Sequence, residues 1–432
     1  MSISASEAKI SQSNVFRYFL RNYVLHSLEG GFYLGGIAFI AFETILPRMV
    51  EFLQGPVWIV SLMPALSYLG FNFPPILTAH KIDKLNSVKP LLMITGFFQR
   101  SMFLFAGLAL IFFSTEQRIL SLIAVVLAPL FSGLIGGVSM TAWNELVAKT
   151  IPENRRSSLF SVRYIISSII GIIAGGIIAS VLGKWPGAKG FGILHIITFG
   201  LVMASYLLFS FLKETTTEAK HQEQDITLGK NLKLMVKLIR TDRQLRCYLL
   251  THSISNGFYI VMPFMTIFTL RVLNQPDCFM GYLVTAQMIG GITGNIVTGY
   301  LGDRLGGKAV MIFFRIIFIL VCAWMAIAGS EWIFLVNFFL LGAAFFAYQV
   351  GHSTLSIEIC PYQKRATYLA IIAFFNAISM VFFSVISGLL WKWTGSFYLL
   401  VISTIIMLLI STYYLLKIKE PRHNNKVIQI IN

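Results

Sequence analysis

"LHSLEGGFYL" runs from Leu25 to Leu34, and "THSISNGFYI" runs from Thr251 to Ile260, 226 positions later. His-Ser and Gly-Phe-Tyr stand at the same places in both. What such a repeat means depends on the solvent it faces, and composition decides that. Of 432 residues, 56% are hydrophobic and 12% charged, against roughly 25% charged in an ordinary soluble domain; mean hydropathy is +0.76. A bilayer core of about 30 Å takes roughly 20 apolar residues per helical crossing, and twelve such stretches can be drawn. They cover 23–47, 57–79, 90–113, 120–148, 158–182 and 190–212, then 246–270, 279–301, 309–328, 332–355, 366–390 and 395–416. None alternates with period two, which excludes a transmembrane barrel.

Basic residues are retained on the cytoplasmic side of a membrane. With the N-terminus inside, 26 of the 34 Lys and Arg fall on inner segments and helix ends, Arg163 among them; six fall outside, and Arg100 and Arg315 lie within spans. Both termini are therefore expected in the cytoplasm. The same distribution accounts for the net charge of +16 and a pI near 9.7, and it excludes nucleic-acid binding, because no basic surface is interleaved with stacking aromatics. The four cysteines have no metal or disulfide spacing, so no metal or cofactor is expected. "MSISASEAKISQSNVF" is too polar for a signal peptide, which leaves insertion to the first span.

Further matches follow the first in the same order. "IPENRR" (Ile151–Arg156) corresponds to "CPYQKR" (Cys360–Arg365), "KWPG" at Lys184 to "KWTG" at Lys392, and "HKIDKLNSVK" after span two to "YLGDRLGGK" after span eight. The spacing shrinks from 226 to about 209 along the chain as loop lengths differ, and matches kept in one order at the same places relative to the spans mark copied structural units. The expected organisation is a cytoplasmic segment 1–22, a six-helix bundle 23–212, a linker 213–245, a second bundle 246–416 and a tail 417–432. Paired six-helix halves are an architecture of secondary transporters.

"GYLGDRLGGK" (Gly299–Lys308) resembles the Gly-x-Leu-x-Asp-Arg-x-Gly-x-Lys loop of the major facilitator superfamily. The resemblance implies an all-α membrane protein of 12 transmembrane helices in two pseudo-symmetric six-helix bundles. It also implies a conformational latch in which Asp303, with Arg304 and Lys308, faces the start of span eleven at Lys364 and Arg365; the first-half copy keeps Asp83. Two signatures of proton-driven drug antiporters are missing. Span four has no Arg, and span five has Gly171, Gly175 and Gly176 without Gly-Pro, so these glycines are expected to serve close helix packing.

Ionisable groups inside a span are costly and normally face a cavity or a partner. Span one carries His26, Glu29, Tyr33, Gly36 and Glu43 at helical spacing; span seven carries His252, Ser255, Asn256 and Tyr259. The resemblance makes these two spans cavity walls. Glu29 is the leading candidate for proton coupling or for binding a cationic group, since its counterpart Ser255 shows that the scaffold does not need an acid; pairing with His26 one turn away is the structural alternative. His26 and His252 suit capping or hydrogen bonding between helices, and Tyr33 and Tyr259 offer a ring and a hydroxyl to a ligand. Arg100, near mid-membrane, must turn to a partner such as Glu29, hold helices together or bind an anion. Arg315 is placed to snorkel. Glu145 and His352, with Trp143 and Asn144, are candidate gate residues, while His195 reads as a packing residue.

In the linker, Leu228, Leu232, Met235 and Leu238 recur among lysines, as in a helix lying on an anionic leaflet. With no Walker loop or hydrolase elbow, enzymatic or ATP-driven chemistry is not expected. The expectation is a multi-pass cell-membrane protein, in the cytoplasmic membrane if bacterial, acting as a monomer. It would move a small polar or amphiphilic organic solute by alternating access, with protons as candidate co-substrate. A facilitated uniporter, or a receptor or assembly partner that binds without transport, stays open.

Overall fold

The computed structural model describes residues 5–72, 74–75, 85–113, 117–214, 228–361 and 365–418. These form helices joined by short turns, with no strand among the described residues, as expected where backbone polar groups must bond within their own segment. In chain order the α-helices are α1 (Ala5–Ile37), α2 (Ile45–Phe52), α3 (Val57–Asn72), α4 (Lys89–Phe113), α5 (Arg118–Thr150), α6 (Glu153–Lys184), α7 (Ala188–Ser210) and α8 (Leu228–Thr241). They continue as α9 (Arg243–Ser255), α10 (Met262–Leu273), α11 (Met280–Leu305), α12 (Gly307–Ile327), α13 (Glu331–Ile359), α14 (Arg365–Thr394) and α15 (Phe397–Leu416).

Among the described residues, ten helical segments are long and apolar enough to cross a membrane. Two further segments of the expected twelve are α3, which has 16 described residues, and α11, whose 26 residues are diluted in apolarity by Gly, Thr and Asn and end in Asp303 and Arg304. α1 starts at Ala5 and runs without interruption into the first span, so much of the segment 1–22 is helix continuous with the membrane crossing. In the linker, α8 forms over the amphipathic stretch.

Two compact units divide the chain. Unit 1 comprises Met1–Phe42 and Leu66–Gln224; unit 2 comprises Glu43–Ala65 and Asp225–Asn432. In unit 1, α1 packs on α6 and α7, and α4 packs on α5 and α7. Unit 2 repeats this plan, with α9 on α14 and α15 and α12 on α13 and α15. The first span of each set is broken. α1 stops at Ile37 and gives way to a 3-10 turn at Ala38–Ile40 before α2; α9 stops at Ser255, and the repeated motif itself, Asn256–Ile260, forms the 3-10 turn before α10. Asn256 directs its side chain to Asn376, Ser379 and Tyr348 on other helices, and Pro263 stands at the start of α10.

Glycine decides how closely α1 meets α6. A Cβ on Gly30 would overlap the Arg163 guanidinium, and one on Gly31 would overlap Ile166. The small-residue surface of this contact thus lies on α1. Gly176 of α6, expected from the sequence to serve close packing, faces open space instead.

Candidate functional site

Within unit 1, α1, α4, α6 and α7 bring four polar side chains to one buried point. Glu29 is 4% exposed, Arg100 7% and Arg163 8%. Arg163 Nη1 donates to Glu29 Oε2 at 2.8 Å and to the His26 carbonyl at 2.9 Å. Arg100 Nη2 lies 3.6 Å from Glu29 Oε1, with Ser205 Oγ between them, 3.4 Å from each. Arg100 is fixed further by the Val202 carbonyl at 2.9 Å and the Gly96 carbonyl at 3.1 Å. Aromatic rings cover both cations, Tyr33 and Tyr206 beside Arg100 and Trp143 beside Arg163. Tyr33 accepts a hydrogen bond from Gln99 at 2.9 Å.

One acid thus faces two bases, so the cluster carries a net positive charge. Glu29 meets Arg100 and Arg163, whereas His26 bonds Thr150 at 3.1 Å. From the sequence Arg163 is one of the inner-end bases and Arg100 a candidate partner of Glu29; the one signal that bears on Arg163 is that a carboxylate within a span requires a nearby cation.

The corresponding place in unit 2 is built without an acid. His252 and His352 stack face to face at 4.0 Å, with Tyr248 and Tyr348 nearly parallel to His252 at 5.7 and 5.8 Å. Asn376 Oδ1 is 3.0 Å from His252 Nε2, 2.8 Å from Asn256 Nδ2 and 3.2 Å from the Tyr348 hydroxyl. An amide oxygen only accepts, so His252 donates from Nε2, and Nδ1 is left as a buried acceptor with no partner. The single Tyr348 hydroxyl proton goes to Asn256 Oδ1 at the shorter distance of 2.7 Å, and the Tyr248 hydroxyl bridges His352 and Ser356. Tyr259 packs on Phe258 with centroids 4.3 Å apart.

Arg315 does not snorkel. It is 1% exposed, bonded to Ser411 Oγ at 2.8 Å and the Met311 carbonyl at 2.9 Å, and no described carboxylate pairs with it. Two acceptors inside the bundle satisfy it, and they replace the membrane interface as its destination. His195 is fully buried in unit 1, its Nδ1 3.0 Å from the Phe191 carbonyl.

At the ends of α4 and α12 the two units repeat one device. Lys89 Nζ donates to the Ser210 and Leu212 carbonyls at 2.7 and 2.6 Å, and Lys308 Nζ donates to the Ile418 carbonyl at 2.7 Å. Each lysine neutralises the C-terminal dipole of the last span in its unit. The acids at the facing helix N-termini are Glu214, which accepts from Val88 and Lys89 N–H at 3.0 Å each and from Ser87 at 2.6 Å, and Glu358, which accepts from Gly307 N–H at 3.0 Å. Burial pushes the Glu214 carboxyl up, but these bonds and Lys149 outweigh it and hold the group below the usual carboxylate value.

Asp303 is exposed in the last turn of α11, and Arg304 lies 4.3 Å above the Tyr300 ring. Arg365 begins α14; Asp83 and Lys364 lie outside the described residues. Glu145 is half exposed, 3.7 Å from Lys149. Unit 2 also holds a charge group the sequence did not suggest, in which Arg48 binds Glu51 at 2.6 Å and Asp277 at 2.7 Å, and Arg271 binds Glu51.

Comparison with known proteins places this geometry. The chain is 26% identical over 243 residues to the multidrug resistance protein MdtG of Serratia proteamaculans, covering 54% of this chain and 55% of that protein, and 25% identical over 218 residues to MdtG of Dickeya zeae, covering 49% and 51%. It spans about half the length of the curated relatives it matches. Among solved structures, a mutant form of the nucleoside transporter NupG superposes with TM-score 0.71 at 14% identity, covering 92% of this chain and 99% of that one. A D-xylose–proton symporter superposes with TM-score 0.66 at 13% identity, covering 93% and 99%; at such identities the likeness is one of fold. The family model described as Major Facilitator Superfamily matches residues 98–276 and 257–429. With two units of one helical plan and a family match over most of its length, this chain belongs to the Major Facilitator Superfamily.

Proposed function

We propose that the protein is a secondary active transporter that moves a small polar or amphiphilic organic solute by alternating access, with Glu29 as the proton-accepting group. The observation that carries this reading is the buried Glu29 carboxylate held between Arg163 of α6 and Arg100 of α4. A site with two guanidinium groups for one carboxylate repels a cationic solute, which leaves proton acceptance as the role proposed for Glu29. Protonation removes the charge that joins the three helices and leaves both arginines to find other acceptors, which links proton occupancy to helix packing. In unit 2 the ring and amide groups of His252, His352, Tyr348 and Asn376 suit a solute with both an apolar ring face and hydrogen-bonding groups. The name of the MdtG relatives agrees with amphiphilic organic solutes, and the fold is one that a D-xylose–proton symporter also uses.

The same reading places both termini in the cytoplasm and the protein in the cytoplasmic membrane as a symporting monomer, with Asp303, Arg304 and Lys308 controlling conformation. Purified protein in vesicles, screened for ligands by thermal shift and then for uptake of the hits, tests it. Uptake is expected to rise severalfold under an inward proton gradient and to lose that response in Glu29→Gln. Wild-type uptake that ignores the gradient makes the protein a facilitated uniporter; ligands that bind without uptake make it a receptor.

A further inference from the structure

On the surface of unit 1, two adjoining hollows lie along α4. The first, about 410 Å³, is bordered by Ser87, Lys89, Met93, Lys213 and Glu214; the second, about 270 Å³, by Met93, Ile94, Phe97, Phe98 and Tyr206. Met93 borders both, so together they form one groove with a charged end and an apolar end. From Lys89 to Phe98 it descends roughly 14 Å at the rise of an α-helix, about half of a ~30 Å hydrocarbon core and so the depth of one leaflet.

The charged end is cationic in effect. Lys89 and Lys213 border it, and Arg21, which donates to the Phe211 carbonyl at 2.8 Å, stands beside the same chain segment. Lys213 Nζ rests 4.8 Å above the Tyr18 ring and has no carboxylate partner among the described residues. The one acid, Glu214, is already engaged by Ser87, two backbone N–H groups and Lys149. At the apolar end Ile94, Phe97 and Phe98 are each about half exposed. Tyr206 closes the groove, and its other contact is Arg100, 5.7 Å from its ring.

We propose that this groove is a binding site for an anionic phospholipid, with the phosphate at Arg21, Lys89 and Lys213 and one acyl chain along Met93, Phe97 and Phe98 as far as Tyr206. The charge favours an anionic over a zwitterionic headgroup, and the groove's direction requires the headgroup and the chain on the same molecule. The acyl chain ends on the ring that covers Arg100, so lipid occupancy bears on the charge cluster; the binding claim stands whether or not Glu29 carries a proton.

Native mass spectrometry of the detergent-solubilised full chain, titrated with phosphatidylglycerol or with phosphatidylcholine of the same acyl chains, tests the site. Wild type is expected to retain phosphatidylglycerol about tenfold or more over phosphatidylcholine, and the Arg21→Gln/Lys213→Gln double variant to lose that preference. Phe98→Ala, an exposed position that leaves the charges in place, is expected to lower retention of both lipids. Glycerol phosphate, which has the headgroup charge without chains, is expected not to compete. Equal retention of the two lipids by wild type, a preference unchanged in the double variant, no loss in Phe98→Ala, or full competition by glycerol phosphate would each overturn the proposal.

Discussion

Glu29 in unit 1 and Ser255 in unit 2 hold the same place in the duplicated motif, as do Gly30 and Asn256. In unit 1 the pair is acid then glycine. The acid draws two arginines, and the glycine gives Arg163 the room to approach. In unit 2 it is hydroxyl then amide; Asn256 joins Asn376, Ser379 and Tyr348 in an uncharged network, and Ser255 Oγ is buried with no partner. The arginines show how such divergence arises. Ser205 and Ser411 each lie five residues before the carbonyl that Lys89 or Lys308 approaches, but Arg100 follows its lysine by eleven residues and Arg315 by seven. That difference of four residues is one helical turn. Arg100 reaches Ser205 and the acid, while Arg315 reaches Ser411 and, on its own helix, the Met311 carbonyl, with no described acid beside it. One scaffold thus supports a charged centre and a neutral one, distinguished by few substitutions.

The sharpest way to break this contrast is Glu29→Ala, which leaves two buried guanidinium groups without an acid. Breaking a buried pair in this way costs about 3–5 kcal/mol, and the thermal unfolding midpoint in detergent is expected to fall steeply. Paired with Arg163→Met and with Arg100→Met in double-mutant cycles, Glu29 is expected to couple more strongly to Arg163, at 2.8 Å, than to Arg100, at 3.6 Å.

In unit 2 the matching disruption is Asn376→Leu, which removes the acceptor shared by His252 and Asn256. Asn256 keeps Ser379 and Tyr348 keeps Asn256 Oδ1 as acceptors, so the loss falls on His252, about 1–3 kcal/mol for an orphaned donor, and the midpoint is expected to fall less than in Glu29→Ala. Gly30→Ala probes the approach rather than the charge. Overlap with Arg163 is expected to cost about 1–3 kcal/mol, and Glu29→Gln/Gly30→Ala should lose less than the sum of the two single changes.

Smaller still is the contribution of Glu214. Its folded carboxyl lies below the ordinary 4.5, so it adds stability above that value and loses it as pH falls further through the folded one. Glu214→Gln is expected to flatten that acid limb of the pH dependence of the melting midpoint. Ser255→Ala should have the least effect and the opposite sign. It removes a buried hydroxyl that has no partner, and the midpoint is expected to stay level or rise slightly.

Much of the fold was legible in order and kind. Apolar runs, the distribution of basic residues and the ordered repeats indicated membrane helices in two copies, because each is a linear property of the chain. The break in α1 at Ile37, and the break at Asn256 in unit 2, which falls earlier in the repeat, were not legible, since both segments read as continuous spans. At the site, Glu29, Arg100, His252 and His352 stood out as polar residues in apolar runs. Arg163, Asn376, Tyr348 and Glu214 did not. Their weight comes from what stands opposite them on another helix, and Arg163 in particular reads as an ordinary inner-end base until Glu29 is placed beside it.

By itself, the sequence determined that this chain is a duplicated helical membrane protein, because hydrophobic length and repeat register are fixed by residue order. Only the tertiary structure decided which charges meet. An ion pair acts over about 3 Å, and helical periodicity leaves the rotation and depth of one helix against another unspecified to more than that. Packing across Gly30 and the one-turn offset between Arg100 and Arg315 therefore set the electrostatics.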